Sequence, residues 1–142
     1  MKESTRQQQG SPSRDLFKRK HKDLGRDLYA MDIDFALIEK YPYPTIVAIL
    51  DYKQSQDEIT FSEVIAYNSL LERGIPIYII SGDADQGAFT ILKYEGGNYK
   101  KPISRLRVVH QTENWQEFEK WERGLRLHMK ERFSEVHANE SA

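Results

Sequence analysis

The chain contains no cysteine, which excludes disulfides, thiolate-ligated zinc and iron–sulfur clusters and suits a reducing cytoplasm. No apolar run approaches the roughly 20 residues that a membrane-spanning helix needs, and the polar N-terminus lacks a signal-peptide core. A cytoplasmic protein without a membrane partner is therefore expected. The formal net charge of −1 excludes an overall basic field that would attract nucleic acid indiscriminately. The histidines at 21, 110, 128 and 137 lack metal-ligand spacing. Neither a Gly-x-Ser-x-Gly elbow nor a Gly-rich phosphate loop ending in Lys-Ser/Thr occurs.

What is present has the balance of a folded domain. Hydrophobic residues make up 39% and charged residues 30%, enough for one modest core under a solvated surface. Residues 1–11 are polar and low in complexity and read as a disordered tail. A single domain is expected over 12–133, with a frayed tail over 134–142. Residues 1–30 hold eight Lys/Arg against four acids, a local charge of +4, while the segment that follows is acidic. A basic arm beside an acidic pocket suits a phosphate backbone and a metal, although each of those lysines equally suits a solvated helix face.

Ser11-Pro12 is a helix entry, and Phe17, Leu24 and Leu28 recur at helical spacing, predicting a helix over 12–28. Alternation from Asp32 to Lys40 and the apolar run from Thr45 to Lys53 predict two strands, separated by the breaker Tyr41-Pro42-Tyr43-Pro44 and joined as an antiparallel hairpin. Thr60-Phe-Ser-Glu63 is a capping box that opens a helix ending at Gly74 and Pro76. Strands are predicted over 75–80, 88–94 and 105–110, with 81–85 as a loop and Gly96-Gly97 in a turn. A second capping box, Asn114-Trp-Gln-Glu117, opens a helix carrying Trp115, Phe118, Trp121 and Leu125. Helix, strand, strand, helix, three strands and helix make an α/β fold, a mixed sheet flanked by helices.

The chemistry concentrates in the hairpin. If its turn centres near Pro42-Tyr43, residues whose numbers sum to about 85 face one another. Asp34 then faces Asp51, and Asp32 faces Lys53, all on one face of the sheet. Two opposed carboxylates repel unless a cation joins them. Lys53 supplies one positive charge, and Mg²⁺ or Mn²⁺, which prefer hard oxygen ligands, would supply two. Such an ion polarises a phosphoryl oxygen and helps ionise a water, which the lysine orients. The alternative is an edge salt bridge between Asp32 and Lys53, with Asp34 and Asp51 solvated and little energy at stake.

Asp34 followed by Asp51-Tyr52-Lys53 resembles the PD-(D/E)XK nuclease superfamily, the restriction-endonuclease-like fold, in which an Asp on one strand precedes a (D/E)-x-K triplet at the end of the next. The next helix is similar to the exonuclease-like branch. That branch has Gln-x-x-x-Tyr, a Leu pair, then Gly, Pro and an apolar strand; this chain has Glu63-Val-Ile-Ala-Tyr67, Leu70-Leu71, Gly74, Pro76 and Ile77 to Ile80. The likeness spans residues 14–94. Met31-Asp32 stands where the family has Pro-Asp, Asp51 where Glu is commoner, and Glu63 replaces the Gln. The family's first-helix acid would be Asp23 or Asp27.

The resemblance implies a Mg²⁺- or Mn²⁺-dependent nuclease that hydrolyses DNA phosphodiester bonds. Asp34, Asp51 and the Tyr52 carbonyl would hold the metal, and Lys53 would assist the attacking water. Asp32, Glu63 and Tyr67 are auxiliary. DNA is the implied partner, with a second copy of the chain or a helicase as further ones. A catalytically inactive module of the same fold, used for binding or assembly, has the same sequence signature. Asp32-Ile-Asp34 and the strand ending in Ser81-Gly82 also resemble the haloacid-dehalogenase-like phosphatases. In that family, however, the aspartates follow a strand in a loop, whereas here an apolar strand continues after them, and no late Asp-Asp pair occurs.

Overall fold

A computed structural model of the chain describes residues 12–22, 33–40, 44–54, 59–98, 100–101 and 103–141. Two compact units divide it, residues 1–32 and 33–142. In the first, helix α1 runs Pro12–Lys22. Pro fits the first helical position because its missing N–H would have no helical acceptor there. The expected continuation to residue 28 and the acids Asp23 and Asp27 lie outside the described residues, as do the 1–11 tail and Asp32.

The second unit is a five-stranded mixed sheet with two helices. Its elements are β1 Phe35–Glu39, β2 Thr45–Tyr52, α2 Phe61–Glu72, β3 Ile77–Asp83, β4 Ala88–Asn98, β5 Ile103–Gln111 and α3 Trp115–Ser141. The strands lie in sequence order. The β2–β3 pair is parallel, bridged by α2, and the other pairs are antiparallel. A parallel pair needs a long crossover, which α2 supplies. The chain is thus an α/β protein, as its order of elements predicts.

Both faces of the sheet are covered, which explains why β2 reads as a continuous apolar run. On one face Ala48, Leu50, Tyr78, Ile80, Phe89 and Ile91 form a cluster with Phe118 of α3, flanked by Trp121 and Leu125. Rings of Phe89, Trp115 and Phe118 meet edge to face with centroids 5.0–5.7 Å apart, an arrangement aromatic quadrupoles favour. The α3 aromatic stripe is therefore core, with Trp115 at its margin. The alternate strand residues Ile49, Ile77 and Ile79 are almost fully buried. So are Val64 and Tyr67 of α2 and Leu92 and Tyr94 of β4, and the Tyr67 and Tyr94 rings are 5.1 Å apart.

Several boundaries differ from the sequence-based expectation. Strand β3 continues through Ser81, Gly82 and Asp83, which pair with Thr90, Phe89 and Ala88, so the reversal is the tight turn 84–87 instead of a loop over 81–85. Gly96 and Gly97 lie within β4, at a register shift between Tyr94 and Gly97. Glycine marks a bulge as readily as a turn, and here the Asn68 carboxamide holds it, accepting from Tyr94 Oη at 2.7 Å and donating to the Gly97 carbonyl at 2.9 Å. Helix α3 extends to Ser141, beyond residue 133.

The 84–87 turn also seats α3. Gly87 has φ +78°, and a Cβ there would lie 2.5 Å from the Trp115 backbone nitrogen. Its carbonyl accepts from Thr112 Oγ1 at 2.8 Å. Gly87→Ala is expected to lower stability by about 2–3 kcal/mol through left-handed strain and that clash. The urea-unfolding midpoint reads the loss, with an unchanged m-value.

Candidate functional site

The site lies where β1 and β2 meet at the end that carries Asp34 and Asp51. Phe35 pairs with Leu50, Ala36 with Ile49 and Leu37 with Ala48, so opposed numbers sum to 85; past Leu37 a bulge shifts the register to Ile38 with Ile46. One step beyond Phe35 and Leu50, Asp34 stands opposite Asp51. There the ladder passes from backbone to side chains. The Asp34 N–H donates to Asp51 Oδ1 at 2.9 Å, and the Tyr52 N–H donates to Asp34 Oδ2 at 2.8 Å. Each carboxylate thus closes an orphan donor on the opposing segment.

Asp51 is 2% exposed, and a buried carboxylate is costly unless fully hydrogen-bonded. Its second oxygen, Oδ2, accepts from the Tyr67 hydroxyl. Glu63 Oε2 lies 3.4 Å from the same hydroxyl, but one phenolic proton serves one acceptor well, and Asp51 is much the nearer. Burial, then the hydrogen bond to Asp51 and the charges of Asp51 and Glu63, push the Tyr67 phenol far above its ordinary value. It is therefore a fixed proton donor at any physiological pH.

Glu63 has two tasks. Its Oε1 accepts the Thr60 N–H at 2.9 Å, while its own N–H donates to Thr60 Oγ1 at 3.2 Å, completing the capping box. Its Oε2 pairs with Lys53 Nζ at 2.5 Å, with side-chain exposures of 9% and 16%. This pairing differs from the expectation that Lys53 answers Asp32, which lies outside the described residues. Sequence held a usable signal: the connection from Lys53 to Thr60 is short, so the start of α2 must lie near the end of β2. Asp34, Asp51, Tyr67, Glu63 and Lys53 form one connected chain of polar groups. Counted as ionised, it holds three carboxylates and one ammonium, a formal sum of −2.

The donor set can be tested against a divalent cation. Among the described residues no three Asp, Glu, His or Cys side chains gather round one point, so a closed protein cage of the zinc or calcium kind does not fit. Mg²⁺ is commonly held by one or two carboxylates, with water and substrate phosphate completing its shell. Asp34 and Asp51 are such a pair, and Asp34 is exposed. Because N–H and C=O of a strand residue point to the same side, the Tyr52 carbonyl also faces the β1 side. Hard oxygens of this kind fit Mg²⁺ or Mn²⁺.

The phosphatase-like reading finds little support in the geometry. Asp34 precedes β1 where that family's aspartates follow a strand, and Ser81 lies inside β3 with its hydroxyl donating to the Gln54 carbonyl at 3.3 Å. A scan against family models and searches of curated proteins and of solved structures find no match to this chain. Among the described residues no helix is long and apolar enough to cross a membrane.

Tyr67→Phe isolates the central hydrogen bond. Removing a donor to a buried carboxylate is expected to cost about 1–3 kcal/mol at pH 7. The wild-type phenol stays protonated when folded but ionises near pH 10 when unfolded. Its contribution to stability is thus fully present below pH 10 and is lost as pH rises beyond it. Between pH 10 and 11.5 the wild type should lose up to about 1.4 kcal/mol per pH unit more than Tyr67→Phe, measured by urea unfolding at each pH.

Proposed function

We propose that this chain is a cytoplasmic, divalent-metal-dependent nuclease acting on DNA, with a restriction-endonuclease-like fold. The observation that carries the reading is the joined Asp34–Asp51 carboxylate pair at one strand end, with Lys53 two residues on and a net formal charge of −2. The mixed β1–β2–α2–β3 arrangement and the hard-oxygen donor set support it.

In this mechanism Asp34, Asp51 and the Tyr52 carbonyl would hold Mg²⁺ or Mn²⁺. The ion, when bound, polarises the scissile phosphoryl group and acidifies a water. Every other contribution is the protein's. Lys53 presents an ammonium that orients the attacking water and offsets charge developing on phosphate. Glu63 holds that ammonium in place. Tyr67 keeps Asp51 in a single rotamer with its remaining lone pairs available.

A second reading, a nuclease-like fold used only for binding or assembly, is favoured by the occupancy of the site: both Asp51 oxygens already accept hydrogen bonds and Lys53 is already paired. One experiment separates the two. Purified protein is incubated with single- and double-stranded DNA and Mg²⁺ or Mn²⁺, and products are resolved on denaturing gels. The nuclease reading expects metal-dependent cleavage, abolished by EDTA and reduced at least about 100-fold in Asp51→Asn and Lys53→Ala. DNA binding without cleavage under any metal condition establishes the binding module instead.

A further inference from the structure

Strand alternation sends neighbours of the site residues to the opposite face of the sheet. Phe35 follows Asp34, and Tyr52 stands between Asp51 and Lys53. On that face lies a cavity of about 390 Å³ lined by Phe35, Tyr52, Phe89, Trp115, Phe118 and Glu122, among others. Its volume and its apolar walls with one carboxyl are those of a small-molecule pocket. Its mouth is unusually aromatic: Phe35 is 66%, Trp115 44% and Tyr52 38% exposed. Exposed rings of this size lose free energy in water that a flat ligand would restore. Most of the polar groups around it are already used, since Tyr52 Oη donates to the Gly82 carbonyl and Trp115 Nε1 to the Ala84 carbonyl. Glu122 is the carboxyl left to meet a ligand's donors, and burial and the neighbouring Glu119, opposed by Arg126, raise its pKa.

From this juxtaposition we infer that the cavity is a nucleobase pocket: it takes one unpaired base of the strand whose phosphates reach Asp34 and Asp51. The inference rests on the nuclease reading for its choice of ligand. Aromatic walls stack any base, and a carboxylate accepts from an exocyclic amino group, so adenine and cytosine fit better than thymine. β1 is the outermost strand of the sheet. The Asp34 face and the Phe35 face therefore meet at one edge of the sheet.

The test uses the full-length ¹⁵N-labelled chain without metal. It has two tryptophans, so the indole N–H region holds two signals, assigned with Trp121→Phe. Deoxyadenosine, deoxycytidine and thymidine are titrated separately. The expected result is a saturable shift of the Trp115 signal with little change at Trp121, thymidine binding about fivefold more weakly than the amino-bearing nucleosides for one lost hydrogen bond. Glu122→Ala should erase that preference. Ala84→Phe, at an exposed turn position lining the cavity, should abolish the shift while the rest of the spectrum stays folded. Absence of a saturable Trp115 shift with every nucleoside overturns the pocket, and equal affinity for thymidine overturns the role of Glu122. Cleavage assays fail separately: nucleoside binding without cleavage rejects the nuclease and keeps the pocket, and cleavage without nucleoside binding does the reverse.

Discussion

Asp51 is a carboxylate where a carboxylate is expensive. It lies at the end of the most buried strand of the sheet, and what offsets its desolvation is two donors from outside that strand. The Asp34 N–H comes from the residue just before β1 and the Tyr67 hydroxyl from α2, while β2 supplies Asp51 itself. A buried charge that loses a partner costs several kcal/mol. The positions of β1 and α2 relative to β2 are therefore tied to one side chain. The hydrophobic clusters hold the layers together over a broad area, but they tolerate sliding by a fraction of a residue in a way that two directed hydrogen bonds to one carboxylate do not.

Tyr67 and Glu63 lie one helical turn apart on α2, so they face the same way. Glu63 is fixed at the helix N-terminus by the capping box, and the position of Tyr67 follows. The same box that starts the helix therefore sets where the Lys53 ammonium sits. Local capping geometry and the polar chain at the strand end are one construction, and a change in either propagates to the other.

This division explains what the sequence makes legible. The facing of Asp34 and Asp51 follows from alternation and a short turn, both local, and so it could be read from residue numbers as far as Leu37. The bulge after Leu37 could not, because the flanking residues are all apolar or β-branched and nothing marks the extra residue. The capping box at Thr60 to Glu63 was plain because its two residue types occupy a fixed spacing. The Lys53–Glu63 pair was legible only in part: the short connection to Thr60 brings the start of α2 near the end of β2, but the pairing itself depends on how α2 folds back over β2. Nor was the length of β3: Ser81-Gly82-Asp83 has turn chemistry by composition, yet its backbone finds partners in β4, and satisfied ladder bonds outweigh weak local preference. Gly96-Gly97 inverts in the same way, since Asn68, distant in sequence, decides that the glycines make a bulge.

Lys53 and Glu63 make the electrostatic balance at this strand end adjustable. Their pairing leaves Asp34 and Asp51 as the excess negative charge of the polar chain, with Asp34 exposed and Asp51 buried behind it. A divalent cation there would remove the repulsion between the two carboxylates. A phosphate arriving with it would compete with Glu63 for the lysine, at little net cost because one charge-assisted contact replaces another. An exchange of that kind needs the lysine tethered but not locked, on a stem long enough to swing. Lys53 meets both conditions, since it is held by a single carboxylate oxygen and lies just past the last paired residue of β2, and an arginine's rigid fork would not serve in its place.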